Sequence, residues 1–285
     1  MSQVWFITGC SSGFGESLAR LLLKRGHKVI ATARKLSALD SLKEAGAAVM
    51  QFDVTAPLDE VKAIADKAVA LYGQIDVVVN NAGYFAINSL EEATPQETYD
   101  QFNVNVFGPL NVARAFLPHM RKQKSGTFVW LGSVGGWYGG ASGGLYCSTK
   151  HAIRPISESL HAEISPLGLR SVCLEPGGFR TSFLQAGNRT SYVSRIPDYA
   201  PILTPAAEMW YGADGKQNGD PEKFVQLMVD YVRKEGPFAE VSDAEYPITL
   251  LAGSDCYAVV KGQLNAQLEK MERFKDVIAS TDHAK

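Results

Sequence analysis

The sequence predicts an α/β fold in which a doubly wound parallel sheet lies between two layers of helices. Three observations predict this three-layer α/β/α arrangement. Short apolar runs alternate along the chain with longer helical patterns, which is the order that βαβ units require. Most of these runs are continuously apolar, as in parallel strands that helices cover on both faces. A glycine-rich turn also follows the first run and opens the first helical pattern.

The predicted elements follow one another without a break in rhythm until residue 181. Six strands are predicted at Val4–Thr8, Lys28–Ala33, Ala48–Phe52, Ile75–Asn80, Thr127–Leu131 and Ser171–Leu174. The helical patterns between them include Gly15–Arg25, Leu58–Tyr72, Glu97–Lys122 and Leu145–Leu167. A helix from Pro221, an apolar run at Pro247–Leu251 and a helix at Tyr257–Phe274 follow. No linker rich in Pro, Gly or Ser divides the chain, so we predict a single domain over residues 1–285.

Residues 182–220 interrupt this alternation and are predicted to form a substrate-binding loop or helical lobe. The segment carries several proline, glycine and aromatic residues and follows the strand that ends near Leu174. Ligands of open α/β sheets bind beyond the carboxyl ends of the strands. We therefore expect this lobe to cover the binding crevice.

Composition excludes several classes of protein. The 285 residues include 28 Lys+Arg and 30 Asp+Glu, which gives a formal charge of −2 and no reason to expect nucleic acid or an anionic membrane as a partner. No run of 18 apolar residues predicts a membrane span, and the N-terminus lacks the pattern of a signal peptide. The spacing of Cys10, Cys147, Cys173 and Cys256 fits neither a metal site nor a redox pair. We expect free thiols, no metal and a cytoplasmic location.

The glycine-rich turn is Thr8-Gly9-Cys10-Ser11-Ser12-Gly13-Phe14-Gly15, between a strand and a helix. Gly9 permits a tight turn, Gly13 lets the backbone approach a pyrophosphate, and Gly15 allows the helix to pack closely on the sheet. The N-terminus of the helix then offers free N–H groups to phosphates. This context predicts a Rossmann-type dinucleotide site, in which the hydroxyls of Ser11 and Ser12 can donate to phosphate.

The spacing Gly-x-x-x-Gly-x-Gly with a preceding threonine resembles the short-chain dehydrogenase/reductase family. Other segments match family motifs in the same order along residues 3–181, and the likeness continues more loosely to about residue 275. The turn together with Ala31-Thr32-Ala33-Arg34-Lys35 resembles the branch of 17β-hydroxysteroid and retinol-type dehydrogenases and carbonyl reductases.

The residues after the second predicted strand favour NADP(H) over NAD(H). Arg34 and Lys35 stand where NAD enzymes usually place a carboxylate that holds the adenosine ribose. A guanidinium can pair with a 2′-phosphate, which a carboxylate would repel. In the family, Ala33 occupies the acidic position of NAD-preferring members and Arg34 the basic position of NADP-preferring ones. The alternative is that both cations are merely solvated.

Further coenzyme contacts are implied by the resemblance. Asp53 matches the family's adenine contact, although it could equally be a turn or helix-start aspartate. Phe179 and Thr181 lie in a Pro-Gly motif that would hold the nicotinamide carboxamide. The full set of predicted coenzyme residues is Gly9, Ser11, Ser12, Gly13, Phe14, Gly15, Arg34, Asp53, Val54, Asn81, Ala82, Gly83, Tyr146, Lys150, Pro176, Phe179 and Thr181.

Tyr146 and Lys150 are the central catalytic candidates. They stand at i and i+4 of a predicted helix and so share one face, where an ammonium lowers the pKa of a phenol. Ser133, at the end of the fifth strand, can hydrogen-bond and polarise a substrate carbonyl. Asn105 is costly in a helix, and the resemblance implies that it holds a water that relays protons to the lysine. Asn103 is its nearby competitor, but the spacing to Gly108 favours Asn105.

These residues imply an oxidoreductase that transfers hydride between NADPH and a carbonyl, with Tyr146 as general acid or base. The aromatic residues near the site favour a fairly large apolar or aromatic substrate, unless several only pack under the loop: Trp137, Tyr138, Phe183, Tyr192, Tyr199, Trp210 and Tyr211. His151 is expected to pack or lie on the surface. The resemblance implies a homodimer or homotetramer paired through the two long helices. The alternatives are an NADP-binding sensor or scaffold without turnover and a family member with another biosynthetic reaction.

Overall fold

The computed structural model describes residues 1–283, and its seven strands form one parallel sheet. The spatial order is β3-β2-β1-β4-β5-β6-β7, which confirms the doubly wound topology. The strand bounds are β1 Val4–Ile7, β2 Lys28–Ala33, β3 Ala48–Gln51, β4 Val77–Asn80, β5 Gly126–Leu131, β6 Leu169–Pro176 and β7 Thr249–Ala252. The order reverses between β1 and β4, so a crevice opens there at the carboxyl ends of the strands.

Ten α-helices cover the sheet or extend from it within the described residues. Their bounds are α1 Gly13–Lys24, α2 Asp40–Glu44, α3 Leu58–Tyr72, α4 Pro95–Phe102, α5 Gly108–Gln123, α6 Gly144–Ile164, α7 Ala200–Gly212, α8 Pro221–Arg233, α9 Ser254–Arg273 and α10 Lys275–Ala279. No helix among residues 1–283 is long and apolar enough to cross a membrane.

Strand β1 shows why the helices lie in two layers. Its side chains alternate, so that Trp5 and Ile7 pack with α1 and α8 on one face, whereas Val4 and Phe6 pack with α3 and α5 on the other. All four side chains are buried. Burial on both faces explains the continuous apolar runs, and the predicted three-layer α/β/α architecture is confirmed.

The long helix predicted at Glu97–Lys122 is not uniform. Thr94 and Glu97 form a capping box at the start of α4, and a π-helical segment, Asn103–Phe107, joins α4 to α5. Such segments insert a residue into the helical turn and often lie at functional sites. The helix predicted from Gly15 also begins earlier, at Gly13, and the helix predicted from Tyr257 begins at Ser254. Short α2 was not predicted.

The lobe leaves the sheet after β6 and returns at α8. It contains two 3₁₀ turns, Ser182–Leu184 and Pro197–Tyr199, and the helix α7. Its small apolar cluster combines Leu184 and Ala207 with Phe85 and Ile87 from the segment after β4. The lobe therefore packs beside the carboxyl ends of the strands.

Candidate active site

A cavity of about 780 Å³ opens at the carboxyl ends of the strands and is the candidate active site. It extends from the glycine-rich turn past the end of β5 to the lobe. The structure brings nearly all of the predicted site residues to its wall, and only Gly15 and Asn105 among them do not line it.

The glycines of the turn occupy conformations or spaces that other residues would not fit. Gly9 has a φ of +72°, and a Cβ there would lie 2.9 Å from the Ala82 Cα. Gly13 also has a positive φ, of +60°. A Cβ on Gly15 would lie 2.4 Å from the Gly9 carbonyl oxygen. The close approach predicted for Gly15 is therefore to the turn itself, which explains why it does not reach the cavity.

Asn81 fastens the glycine turn to the end of β4. Its Nδ2 donates to the carbonyl oxygens of Thr8 at 2.8 Å and Gly9 at 3.0 Å. The Thr8 hydroxyl accepts the backbone N–H groups of Asn81 and Ala82, each at 3.0 Å. These bonds hold the two backbone segments on either side of the crevice at a set separation.

The end of the cavity near β2 is open and polar. Arg34 is exposed there, and its carbonyl oxygen accepts a hydrogen bond from Gln51 Nε2 at 3.0 Å. Asp53 Oδ1 accepts the backbone N–H of Thr55 at 2.9 Å and its hydroxyl at 2.7 Å. Asp53 therefore shapes a turn, the alternative left open above, and also lines the cavity.

Ser133, Tyr146 and Lys150 meet at the middle of the cavity. Ser133 follows β5, and its Oγ accepts the Gly135 N–H at 3.0 Å. Tyr146 lies in the first turn of α6, and Lys150 lies one turn later. The Lys150 Nζ donates to the Leu131 carbonyl oxygen at 2.6 Å and lies 5.6 Å from the centroid of the Tyr146 ring. The ammonium is thus anchored to the end of β5.

The acid–base groups depart from the simple prediction of a lowered tyrosine pKa. Burial raises the pKa of Tyr146 above its usual value, and only the hydrogen bond with Ser133 acts in the opposite direction. The Lys150 ammonium does not offset this rise, and it donates to the Leu131 carbonyl instead of the phenol. Burial lowers the pKa of Lys150 to about 8. The Tyr146 phenol therefore carries its proton at neutral pH in this structure.

Asn105 lies in the π-helical segment, behind the wall of the cavity. Its Oδ1 accepts the Tyr84 N–H at 3.2 Å, and its Nδ2 donates to the Tyr84 carbonyl at 3.1 Å and the Thr149 hydroxyl at 3.2 Å. These bonds connect the segment after β4 to α6 next to Lys150. Asn103, the competitor, does line the cavity. The predicted water relay through Asn105 stays a prediction.

The Pro-Gly turn after β6 also lines the cavity. Asp255 Oδ2 accepts the Gly178 N–H at 2.6 Å, and a Cβ on Gly177 would lie 2.2 Å from Asp255 Oδ1. Phe179 packs against Phe14, with ring centroids 5.5 Å apart. The glycine turn and the Pro-Gly turn thus meet through their aromatic side chains.

The predicted aromatic set divides into two groups. Tyr138, Phe183 and Trp210 line the cavity, as does Phe85, whose ring centroid lies 4.9 Å from that of Tyr146. The other four, Trp137, Tyr192, Tyr199 and Tyr211, do not line it, so for them the alternative of packing within the protein holds. Their polar atoms are instead engaged in contacts within the protein.

Comparison with known proteins identifies the family. The model of the short chain dehydrogenase family matches residues 3–191, the segment that carries the glycine turn and the Ser-Tyr-Lys group. This chain belongs to that family. A 3-ketodihydrosphingosine reductase of Bacteroides thetaiotaomicron is 35% identical over 198 residues, which cover 70% of this chain and 72% of that protein. Oxidoreductase BOA17 of Botryotinia fuckeliana is 31% identical over 90% of each chain.

A solved structure extends the likeness to the lobe and the last helices. A short-chain dehydrogenase from Streptomyces avermitilis superposes with a TM-score of 0.87 at 33% identity, covering 99% of this chain and all of that one. Other structures of the same fold contain NAD in one case and NADP in another. The protein is accordingly a short-chain oxidoreductase with a single-domain Rossmann-type fold.

The sequence did not indicate several residues of this site. Asp255 and Phe85 stand far along the chain from the motifs that they support, so no local spacing indicates them. The Asn105 side chain holds Tyr84 through hydrogen bonds to its backbone. A Cβ on Gly83, the residue before Tyr84, would lie 3.2 Å from the Asn105 Oδ1. His151 is exposed, and its Nδ1 lies 2.9 Å from the Cys147 carbonyl oxygen, as expected for a residue outside the chemistry. The four cysteines are buried and free.

Proposed function

We propose that this protein is an NADP(H)-dependent oxidoreductase that transfers hydride between NADPH and the carbonyl of a fairly large apolar or aromatic substrate. One observation carries the proposal: Ser133, Tyr146 and Lys150 line the same cavity as the glycine-rich turn and Arg34. The polar triad supplies groups for carbonyl chemistry, and the turn and Arg34 suit a phosphorylated dinucleotide.

Each residue of the site has a separate role in the proposed reduction. When bound, NADPH supplies the hydride that the carbonyl carbon accepts. The Ser133 hydroxyl donates a hydrogen bond to the carbonyl oxygen and polarises it. Tyr146 donates its proton to that oxygen as the alcohol forms, and its raised pKa keeps it protonated beforehand. Lys150 stabilises the resulting phenolate and binds the nicotinamide ribose, and Asn105 maintains the water relay to it.

The coenzyme half of the proposal rests on Arg34 and its surroundings. Arg34 is exposed at the open end of the cavity, and among residues 1–283 it forms no ion pair that would occupy its guanidinium. Ser11 and Ser12 line the same region, next to the N-terminus of α1. This arrangement offers donors to a 2′-phosphate and a pyrophosphate without a competing carboxylate on Arg34.

The substrate half rests on the walls near Tyr146. Phe85 and Trp210 meet edge to face, with ring centroids 5.2 Å apart, and Phe183 stacks 6.4 Å from Phe85. Aromatic walls bind apolar surface. The name of the Bacteroides relative, a 3-ketodihydrosphingosine reductase, supports a ketone as the group that is reduced.

We also propose a cytoplasmic homodimer or homotetramer paired through α4–α5 and α6. Exposed Tyr99 and Phe107 on the first of these helices, 54% and 41% accessible, provide apolar surface for pairing. A monomer at micromolar concentration in analytical ultracentrifugation would contradict the assembly.

The test is loss of NADPH absorbance against aryl, steroid and aliphatic ketones, with NADH and a Tyr146→Phe variant alongside. We expect turnover with NADPH and a fall in kcat of about 10²- to 10⁴-fold in the variant, since only the proton donor is lost. Coenzyme affinity should be retained. Tight NADPH binding without turnover of any ketone would favour the sensor or another reaction, and a preference for NADH would contradict the role of Arg34.

A further inference from the structure

Glu175, near the end of β6, is a buried carboxylate that the proposed reaction does not use. Its side chain is fully buried, at 0% exposure. The Oε2 accepts the Trp137 indole N–H at 2.7 Å, whereas the Oε1 lies 3.7 Å from the Arg154 Nη1 and has no hydrogen-bond partner among the described residues. Such a group is expensive to bury, so its presence next to the site needs a reason.

The carboxylate touches segments that carry the reacting groups. Trp137 ends the turn that begins at Ser133, where the Gly136 N–H donates to the Ser133 carbonyl at 2.8 Å. Arg154 follows Lys150 by one turn of α6, and its guanidinium lies 3.9 Å from the centroid of the Trp137 ring. Glu175 itself immediately precedes the Pro-Gly turn. One side chain thus links the positions of three parts of the site.

Two glycines make room for this arrangement. A Cβ on Gly132 would lie 2.7 Å from the Glu175 Cγ. A Cβ on Gly136 would lie 2.9 Å from the Lys150 carbonyl oxygen and 3.5 Å from the Glu175 Oε1. The Ser133 turn can therefore close onto α6 and the carboxylate only because both positions lack a side chain.

The charges around Glu175 are incompletely balanced. Burial raises its pKa, while the Trp137 hydrogen bond, Arg154 and Lys150 act against that rise, and Glu158 on α6 adds to it. Burial in turn lowers the pKa of Lys150 to about 8, and the negative charge of Glu175 opposes that fall. The thiol of Cys256, from α9, also faces Glu175 and donates to its backbone carbonyl at 3.2 Å.

We propose that Glu175 is a positioning residue whose ionised carboxylate holds the Ser133 turn against α6 and supplies a countercharge to the Lys150 ammonium. The inference rests on the proposed function for its kinetic consequence. In this arrangement Glu175 lies behind the Ser-Tyr-Lys group, and Trp137 and Arg154 orient its carboxylate from either side.

The decisive variant is Glu175→Gln, which preserves the shape and the acceptor for Trp137 but removes the charge. Lys150 then loses protons more easily, so the alkaline fall of kcat/KM should move to lower pH by about 0.5 to 1 unit. We expect kcat at neutral pH to fall by about tenfold. The melting temperature of the variant at neutral pH should equal or exceed that of the wild type. A carboxyl group whose pKa is raised on folding makes the folded protein less stable as pH rises, and the amide does not. This difference should vanish below about pH 4, where both side chains are neutral.

Two further variants separate charge from contact. Trp137→Phe removes the indole donor and leaves the carboxylate, so kcat should fall without a shift of the alkaline limb. Asp230→Asn is the matched control, because Asp230 is a half-buried carboxylate that pairs with Arg25 at 3.2 Å, between α1 and α8. It should leave the pH profile unchanged.

The inference is overturned if Glu175→Gln loses melting temperature while it keeps the wild-type pH profile, because the role would then be structural. A kcat within about twofold of the wild type, together with an unchanged pH profile of kcat/KM, would overturn it as well. If the wild type reduces no carbonyl, the proposed function fails separately. The melting curves and the pH dependence of NADPH affinity in the two proteins would then decide whether the countercharge exists.

Discussion

The coenzyme end of the cavity and the lobe over its other end are held in place by different means. At the coenzyme end, glycine conformations and backbone hydrogen bonds set the geometry, as in the bonds from Asn81 to the carbonyl oxygens of Thr8 and Gly9. These contacts join residues within one turn or at the ends of neighbouring strands, so the backbone of the turn has few alternative conformations. The lobe instead depends on side chains that meet across about a hundred residues.

Glu92 is the centre of that second kind of contact. Its carboxylate accepts the Tyr192 hydroxyl at 2.6 Å, the Ser194 hydroxyl at 3.1 Å, and the N–H groups of Arg195 at 2.6 Å and Ile196 at 2.9 Å. The loop between β4 and α4, which carries Glu92, thus binds residues 192–196 of the lobe through hydrogen bonds. The comparison teaches that backbone conformation and backbone hydrogen bonds hold the glycine-turn end of the cavity, whereas a few side chains attach the lobe.

The largest effect is expected where the backbone has least freedom, at Gly15→Ala. The new Cβ would lie 2.4 Å from the Gly9 carbonyl oxygen and 2.7 Å from the Asn81 Nδ2, so the turn and α1 must separate. We expect a loss of about 1 to 3 kcal/mol of unfolding free energy and a marked loss of NADPH affinity. Chemical denaturation and fluorescence titration of NADPH measure the two.

Gly262→Ala is the matched control for that substitution. Gly262 lies within α9, and apart from its chain neighbours and the backbone of the helix itself, no atom of the described residues lies within 4 Å of a Cβ built there. Alanine is a better helix former than glycine, so this variant should gain up to about 1 kcal/mol. If Gly15→Ala were as harmless as this control, the glycine turn would be looser than the structure shows.

Arg34→Ala should have the next largest effect, and only on one coenzyme. Loss of the guanidinium removes the charge-assisted bonds proposed for the 2′-phosphate, so KM for NADPH should rise by about 10- to 100-fold. KM for NADH should change little. Lys35→Ala is the control, since Lys35 is also exposed but does not line the cavity. An equal rise for both coenzymes would contradict phosphate recognition by Arg34.

The same contrast explains how much could be predicted from the sequence. The order of strands and helices follows from apolar periodicity, and the coenzyme turn follows from glycine spacing, so both could be predicted. Local spacing also indicated Ser133, Tyr146 and Lys150, and the structure brings these three together. The strand bounds differ by a few residues because hydrogen bonding, rather than hydrophobicity, determines where β6 begins and ends.

The remaining errors arise from contacts between distant residues. Residue type made Tyr192 and Tyr199 candidates for the substrate wall, with packing under the loop as the alternative, and their hydroxyls donate to Glu92 and Glu91. The tyrosine pKa was expected to fall because Tyr146 and Lys150 share a helical face, but the direction of the Lys150 side chain depends on the Leu131 carbonyl, 19 residues earlier. Neither partner is visible in a local pattern. The π-helical segment at Asn103–Phe107 likewise depends on what its side chains contact.

Glu92→Gln should have the smallest effect of the series and should act on substrate alone. The amide retains the shape but exchanges an acceptor oxygen for a donor, so the lobe loses part of its attachment. We expect a several-fold rise in KM for the carbonyl substrate, with the KM for NADPH unchanged. Glu91→Gln is the control, since Glu91 is exposed and, among residues 1–283, its side chain accepts only the Tyr199 hydroxyl. Its effect should be smaller still.

The pH dependence of this contact follows from the direction of the Glu92 pKa. The hydrogen bonds from the lobe outweigh burial and lower that pKa to about 2, so the contact is strongest with the carboxylate ionised. A lowered acid pKa contributes stability above its unfolded value near 4.5, and this stability is lost as pH falls towards 2. The KM ratio between Glu92→Gln and the wild type should therefore stay constant from about pH 6 to 9. A ratio that changes within that range, or a change in the KM for NADPH, would mean that the lobe and the coenzyme end are coupled rather than held independently.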